Sequence, residues 1–186
     1  AGNNIFERNN LTLTGAIGGG GTFFHGINIG GSSTGTWTIS DNRLNGNNVG
    51  TASCGFRLRG TLPSTAVLDL THNSITGFAS GIRSDVLATG IQVTAHYNNI
   101  AGNSQYGVFN GAGETIDARF NWWGDSSGPY HTTNPSGLGD DITDYVDYSP
   151  WLGFVVGTSP MTWHVNPTGA PGAIQETIDE SSAGDT

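Results

Sequence analysis

The chain has 186 residues, 30 of them glycine, with 11% charged residues and a formal net charge of −9. That length buries a core and suits one domain, while so few charges and so many glycines exclude an average helical domain. The acidic surplus repels nucleic acid and anionic membrane, and no apolar run of about 18 residues is present to span a bilayer.

All six basic residues are arginine: Arg8, Arg43, Arg57, Arg59, Arg83 and Arg119. Six acids balance them up to residue 119 (Glu7, Asp41, Asp69, Asp85, Glu114, Asp117), so the net charge rests on nine acids beyond it. The opening AGNNIFERNN has neither the basic nor the apolar region of a secretory leader, so an exported form has lost it or carries it outside this sequence. The lone Cys54 forms no internal disulfide and reads as a buried thiol.

In chain order, a degraded unit around Asn9-Asn10-Leu11 precedes the GGGG of Gly18–Gly21, and a strand follows at Gly26-Ile27-Asn28-Ile29. The next unit has apolar Trp37 and Ile39, then Asn42-Arg43-Leu44, then Gly55-Phe56-Arg57-Leu58. Leu68 and Leu70 precede Asn73-Ser74-Ile75, followed by Gly81-Ile82-Arg83. Val93 and Ala95 precede Asn98-Asn99-Ile100, followed by Gly107-Val108-Phe109. Ile116 and Ala118 precede Asn121-Trp122-Trp123. The repeated asparagines are 31, 25 and 23 residues apart, and the apolar pair before each is spaced as in a strand with one buried face.

Such a period predicts a solenoid, and strands with Asn/Gly turns but no helical repeat predict a parallel β-helix. Residues one turn apart then stack at about 4.8 Å. Leu44, Ile75, Ile100 and Trp123 form one internal column, with Trp122 pointing outward or packing under the following loop. Asn42, Asn73, Asn98 and Asn121 form an amide ladder at a turn. The glycine opening each following strand answers to a positive φ or to close backbone approach. Trp123, last in the column, closes the core.

The repeats ISDNRLNGN, LTHNSITGFASGI and AHYNNIAGNSQYGVFN, with the run FNWWGDSSGPYHTTNPSGLGDDITDYVDYSPWL, resemble right-handed parallel β-helices of the pectin-lyase-like superfamily, in its NosD-like and cell-surface branch. The resemblance covers roughly residues 20–152 and implies an all-β solenoid that, with the degraded first unit, runs over residues 1–152, closing at 114–152. It also implies that residues 153–186 are a linker, then a strand and amphipathic helix (Ile174, Ile178) like the N-terminal cap of a following β-helix. Such a cap joins a tandem module, covers the open end of a neighbouring copy, or folds back over its own first rung.

Outward positions of the predicted first sheet read Thr38, Asp69, Thr94, Asp117 and Ser40, Thr71, His96, Arg119. Asp69 and Asp117 fall two rungs apart, about 9.6 Å, near the wide end of the separation inverting glycosidases use. Asp69, His96, Asp117 and Arg119 are thus the catalytic candidates; a solvated polar face with an Asp117–Arg119 pair is the plainer reading. Arg57 and Arg83 stack on neighbouring rungs, as a grip for a uronic-acid carboxylate or a pair countered by Asp85 or Glu114. Asp140, Asp141, Asp144 and Asp147 supply oxygen ligands of the kind calcium takes, without EF-hand spacing. His25, His72, His96, His131 and His164 lack zinc or copper spacing. The expected function is a non-catalytic extracellular structural module of a surface protein, sheath or fibre, partnered by copies or tandem modules of itself. The alternative is a polysaccharide-active enzyme or carbohydrate-binding β-helix.

Overall fold

The computed structural model describes residues 2–14, 24–30, 35–48, 52–59, 62–157 and 163–164. The first rung comprises β1 (Gly2–Glu7), β2 (Asn10–Thr12) and β3 (His25–Ile29), and the second β4 (Gly35–Ser40), β5 (Arg43–Asn45) and β6 (Cys54–Leu58). The third comprises β7 (Ala66–Thr71), β8 (Ser74–Thr76) and β9 (Ser80–Ser84), and the fourth β10 (Gln92–His96), β11 (Asn99–Ile100) and β12 (Tyr106–Asn110). The closing segment adds β13 (Ile116–Asp117), β14 (Val146–Asp147), β15 (Trp151–Leu152) and β16 (Trp163–His164).

Strict alternation makes these segments strands: along β7 buried and half-buried residues take turns, so one face meets the core. Each strand pairs with its equivalent one turn later, giving three parallel sheets ordered β1-β4-β7-β10-β13-β14, β2-β5-β8-β11 and β3-β6-β9-β12. The protein is therefore a parallel β-solenoid of about four turns. Leu11, Leu44, Ile75 and Ile100 lie in register, and a bridge between Asn99 and Trp122 places Trp123 on the next level. Leu44, Ile75, Ile100 and Trp123 are fully buried. The internal column stands as expected.

The asparagine ladder has five members, because Asn9 belongs to it. Asn9, Asn42, Asn73 and Asn98 each donate both their backbone N–H and their side-chain amide to the Oδ1 of the next asparagine, at 2.7–3.1 Å. The amides of Asn42, Asn73, Asn98 and Asn121 also donate to backbone oxygens of the rung before, at Phe6, Ile39, Leu70 and Ala95. One side chain per turn thus satisfies polar groups that a tight, buried corner would leave unpaired.

The left-handed residue at this corner is not glycine. Arg8, Asp41, His72, Tyr97 and Phe120, each immediately before a ladder asparagine, have φ of 55–59°. A side chain there costs about 1–2 kcal/mol per position, and the ladder hydrogen bonds offset it. The four strand-opening glycines answer instead to close approach: a Cβ on Gly55 would lie 2.5 Å from Ile75 Cγ2 and 2.6 Å from the Gly81 oxygen. Positive φ is thus excluded as their reason, in favour of the steric one.

Trp123 ends the column but is not its outer cover. The chain from 124 to 152 folds over it, so that Asp140 N–H bonds the Trp123 oxygen at 2.8 Å. Ile142, Tyr148 and Trp151 join the same core, and Trp151 Nε1 donates to the Ser126 oxygen at 3.1 Å. Trp122 packs half-buried with Phe120, Leu152 and Val156, under the following loop as expected. Beyond that, β16 pairs antiparallel with β15. The Gly18–Gly21 run and the helix expected around Ile174 and Ile178 lie outside the described residues.

Candidate functional site

The first sheet displays the predicted catalytic row. Thr38, Asp69, Thr94, Asp117 and Asp147 are in register across β4, β7, β10, β13 and β14. His96 Nε2 lies 2.8 Å from Asp117 Oδ1, while Arg119 Nε and Nη2 donate to the two Asp117 oxygens, each at 2.8 Å. Asp147 Oδ2 is 3.9 Å from Arg119 Nε. The fold gathers His96, Asp117 and Arg119, adds Asp147, and leaves Asp69 beyond Thr94. Burial works to raise the Asp117 pKa, but hydrogen bonds from Arg119 and His96 and their charges outweigh it and hold the carboxyl well below the usual range. A carboxylate held ionised cannot donate a proton near neutrality, so Asp117 is unsuited to the general-acid half of a two-carboxylate mechanism.

Beside this cluster the left-handed corner residues stack: His72 on Tyr97 with ring centroids 5.7 Å apart, and Tyr97 on Phe120 at 5.6 Å. Nothing in the repeat signalled this, since the position before each asparagine has no common chemistry.

On the third sheet Asn28, Arg57, Arg83 and Phe109 form one outward row. Asp85 bonds both arginines: Arg57 through both terminal nitrogens, and Arg83 through Nε at 3.1 Å and Nη2 at 3.0 Å. Arg83 also lies over the Phe109 ring, 4.1 Å from its centroid. Of the two expected counter-ions only Asp85 serves; Glu114 instead accepts from the Gly90 N–H at 2.8 Å.

The four acids proposed for calcium are not brought together. Asp140 turns inward and accepts from the Gly102 N–H and the Asn103 N–H and amide, at 2.8–3.0 Å. Asp144 lies 3.2 Å from His131 Nε2, Asp147 joins the first-sheet cluster, and Asp141 stays exposed. Among the described residues no three His, Cys, Asp or Glu side chains are grouped to hold a metal ion. The sequence placed these acids within eight positions, but the loop's path sends their side chains different ways.

Burial pushes the Asp140 carboxyl up to about 6, against hydrogen bonds from Asn103 and Gly102 that pull it down. A pKa raised on folding adds stability that is complete below the unfolded value and lost as pH rises through 6. Asp117, lowered on folding, adds stability present above its unfolded value near 3.8 and lost as pH falls below it. Urea midpoints from pH 4 to 7 should therefore fall more steeply with pH in the native protein than in Asp140→Asn. Parallel curves would show that Asp140 is not protonated on folding.

An Asn-laddered parallel β-solenoid, with Asp117 and Asp85 tied to neighbouring arginines on its outward faces, is the class these features define. No family model, curated protein or solved structure matches the chain.

Proposed function

We propose that the chain is a non-catalytic extracellular structural module, of the kind found in the NosD-like and cell-surface branch of the pectin-lyase-like superfamily. Its first rung is continued by a rung of a neighbouring copy or tandem module. The observation that carries this reading is the contrast between the two ends. At the closing end the loop of residues 124–152 covers the column. At the other, β1, β2 and β3 are the edges of their sheets, and Phe6 and Leu11, in the inward rows of Ile39 and Leu44, are only half-buried against the core. No donor among the described residues reaches Asn9 Oδ1, although every later ladder oxygen accepts from the rung before. An edge whose backbone and ladder acceptor find no partner among the described residues is a template for another parallel rung. Low charge and the absence of lysine fit an extended, repetitive surface component.

The second reading, polysaccharide chemistry, draws on the gathering of His96, Asp117 and Arg119 on one open face. The committed state of Asp117 weighs against it.

Sedimentation velocity and electron microscopy across a concentration series, with and without calcium, test the first reading. End-to-end assemblies should form and should be lost in Leu11→Lys, which sets a charge on the open end of the apolar column, while Ile5→Lys, in the outward row with Thr38, should leave them intact. Monomers under every condition would overturn self-association. Reducing ends released from a polysaccharide panel, and abolished by Asp117→Asn, would move the assignment to the second reading.

A further inference from the structure

The third sheet carries a cavity of about 180 Å³ whose lining includes His25, Cys54, Arg57, Ser80, Arg83 and Gln105. His25, Cys54 and Ser80 sit in register on β3, β6 and β9, while Arg57 and Arg83 reach it from the outward row three residues on. The charge lining it is opposite to that of the whole chain. Two of the six arginines in a chain of net charge −9, Arg57 and Arg83, line one small cavity, and one carboxylate, that of Asp85, is shared between them.

The other titratable walls do not cancel that surplus. Burial pushes the Cys54 thiol up, which keeps it neutral. Burial and the charges of Arg59 and Arg57 push His25 down, toward its neutral form. The Arg57 side chain is only 12% exposed, and Asp85, its partner, is 53% exposed. A largely desolvated guanidinium held by a solvated carboxylate retains attraction for a second anion, and the poorly polarisable walls concentrate its field.

We propose that this cavity is a binding site for a small oxyanion, held by the guanidinium groups of Arg57 and Arg83 beside Gln105, with Asp85 keeping the two arginines parallel. Guanidinium forks match both carboxylate and tetrahedral oxyanions. The ligand is therefore a free inorganic oxyanion or the carboxylate of an acidic sugar. The site lies on the third sheet, away from the first-sheet cluster, and does not depend on whether the module assembles.

Binding to the full chain is followed by calorimetry while sodium glucuronate, sulfate or phosphate is titrated at constant ionic strength, with glucose and chloride as controls. The expected result is saturable binding of at least one of the three anions and of neither control. Binding of glucuronate alone assigns the site to an acidic sugar; binding of sulfate or phosphate assigns it to an inorganic ion. Arg83→Gln should weaken binding about tenfold, the loss of roughly one charge-assisted hydrogen bond. No saturable binding of any of the anions, equal binding of chloride, or unchanged affinity in Arg83→Gln would each overturn the proposal.

Discussion

Asn73→Ala should destabilise the protein by about 3–5 kcal/mol, seen as a lower urea midpoint and as accelerated amide exchange at Asn42 and along β5. Asn73 is fully buried. Its Oδ1 accepts from both the Asn42 N–H and the Asn42 amide, and its own amide donates to the Ile39 oxygen and to Asn98 Oδ1. Alanine removes all of these. The Asn42 N–H and Ile39 oxygen are left unpaired away from water, at about 1–3 kcal/mol each, and the amide's volume becomes a void. Aspartate is no substitute, because it sets a carboxylate against the Ile39 oxygen where the amide donated. Asn9→Ala is the control: Asn9 is part-exposed, water replaces its bonds, and the loss should stay below about 1 kcal/mol. If the two alanine variants were equally stable, the ladder would be polar filler and not the element that holds the corners.

The second large effect is expected at Trp123. Trp123→Ala empties the last level of the apolar column under the 124–152 loop, and a buried tryptophan truncated to alanine costs about 3–5 kcal/mol. The loss should be concentrated at the closing end, because in a stacked solenoid each rung contacts its neighbours only. Amide exchange in β11, β12 and the 139–143 segment should rise while β4 and β7 keep their protection. Trp123→Phe should recover much of the loss, since Trp123 Nε1 is buried with no hydrogen-bond partner among the described residues, so the smaller ring forfeits volume but no bond. Trp122→Ala should cost less than Trp123→Ala, because Trp122 is half-buried. A uniform rise in exchange across all rungs would contradict a rung-by-rung core.

The neighbouring tryptophans illustrate how the sequence encodes such a column. Trp123 falls where Leu44, Ile75 and Ile100 fall in earlier units, two residues after an asparagine, and the fold places it there. The same offset held for Leu11 and Asn9, whose unit looked degraded because its flanks diverge. Alternation of apolar residues and a recurrent Asn-x-apolar step are properties of short stretches of chain, so they survive translation into structure without knowledge of the loops.

The site residues were legible only in part. Spacing alone pairs Asp117 and Arg119, two apart on one face, and the repeat register puts His96 beside them. Proximity along the chain groups Asp147 with Asp140, Asp141 and Asp144, whereas β14 carries it across to Asp117. Asp140 is spent as acceptor for Gly102 and Asn103. Within an irregular loop, closeness in sequence gives no direction to a side chain.

The sequence by itself determined the all-β solenoid, its rung register, the asparagine line and the apolar column, because a stacked fold makes equivalent positions contact each other once per turn and so writes its contacts as a repeat. Only the tertiary structure decided that Arg8, Asp41, His72, Tyr97 and Phe120 take the left-handed corner, that glycines open strands for want of room, and that Asp85 bridges Arg57 and Arg83. Those outcomes depend on backbone path, atomic clearance and side-chain reach at each corner. None of these recurs as a residue type, so no pattern along the chain records them.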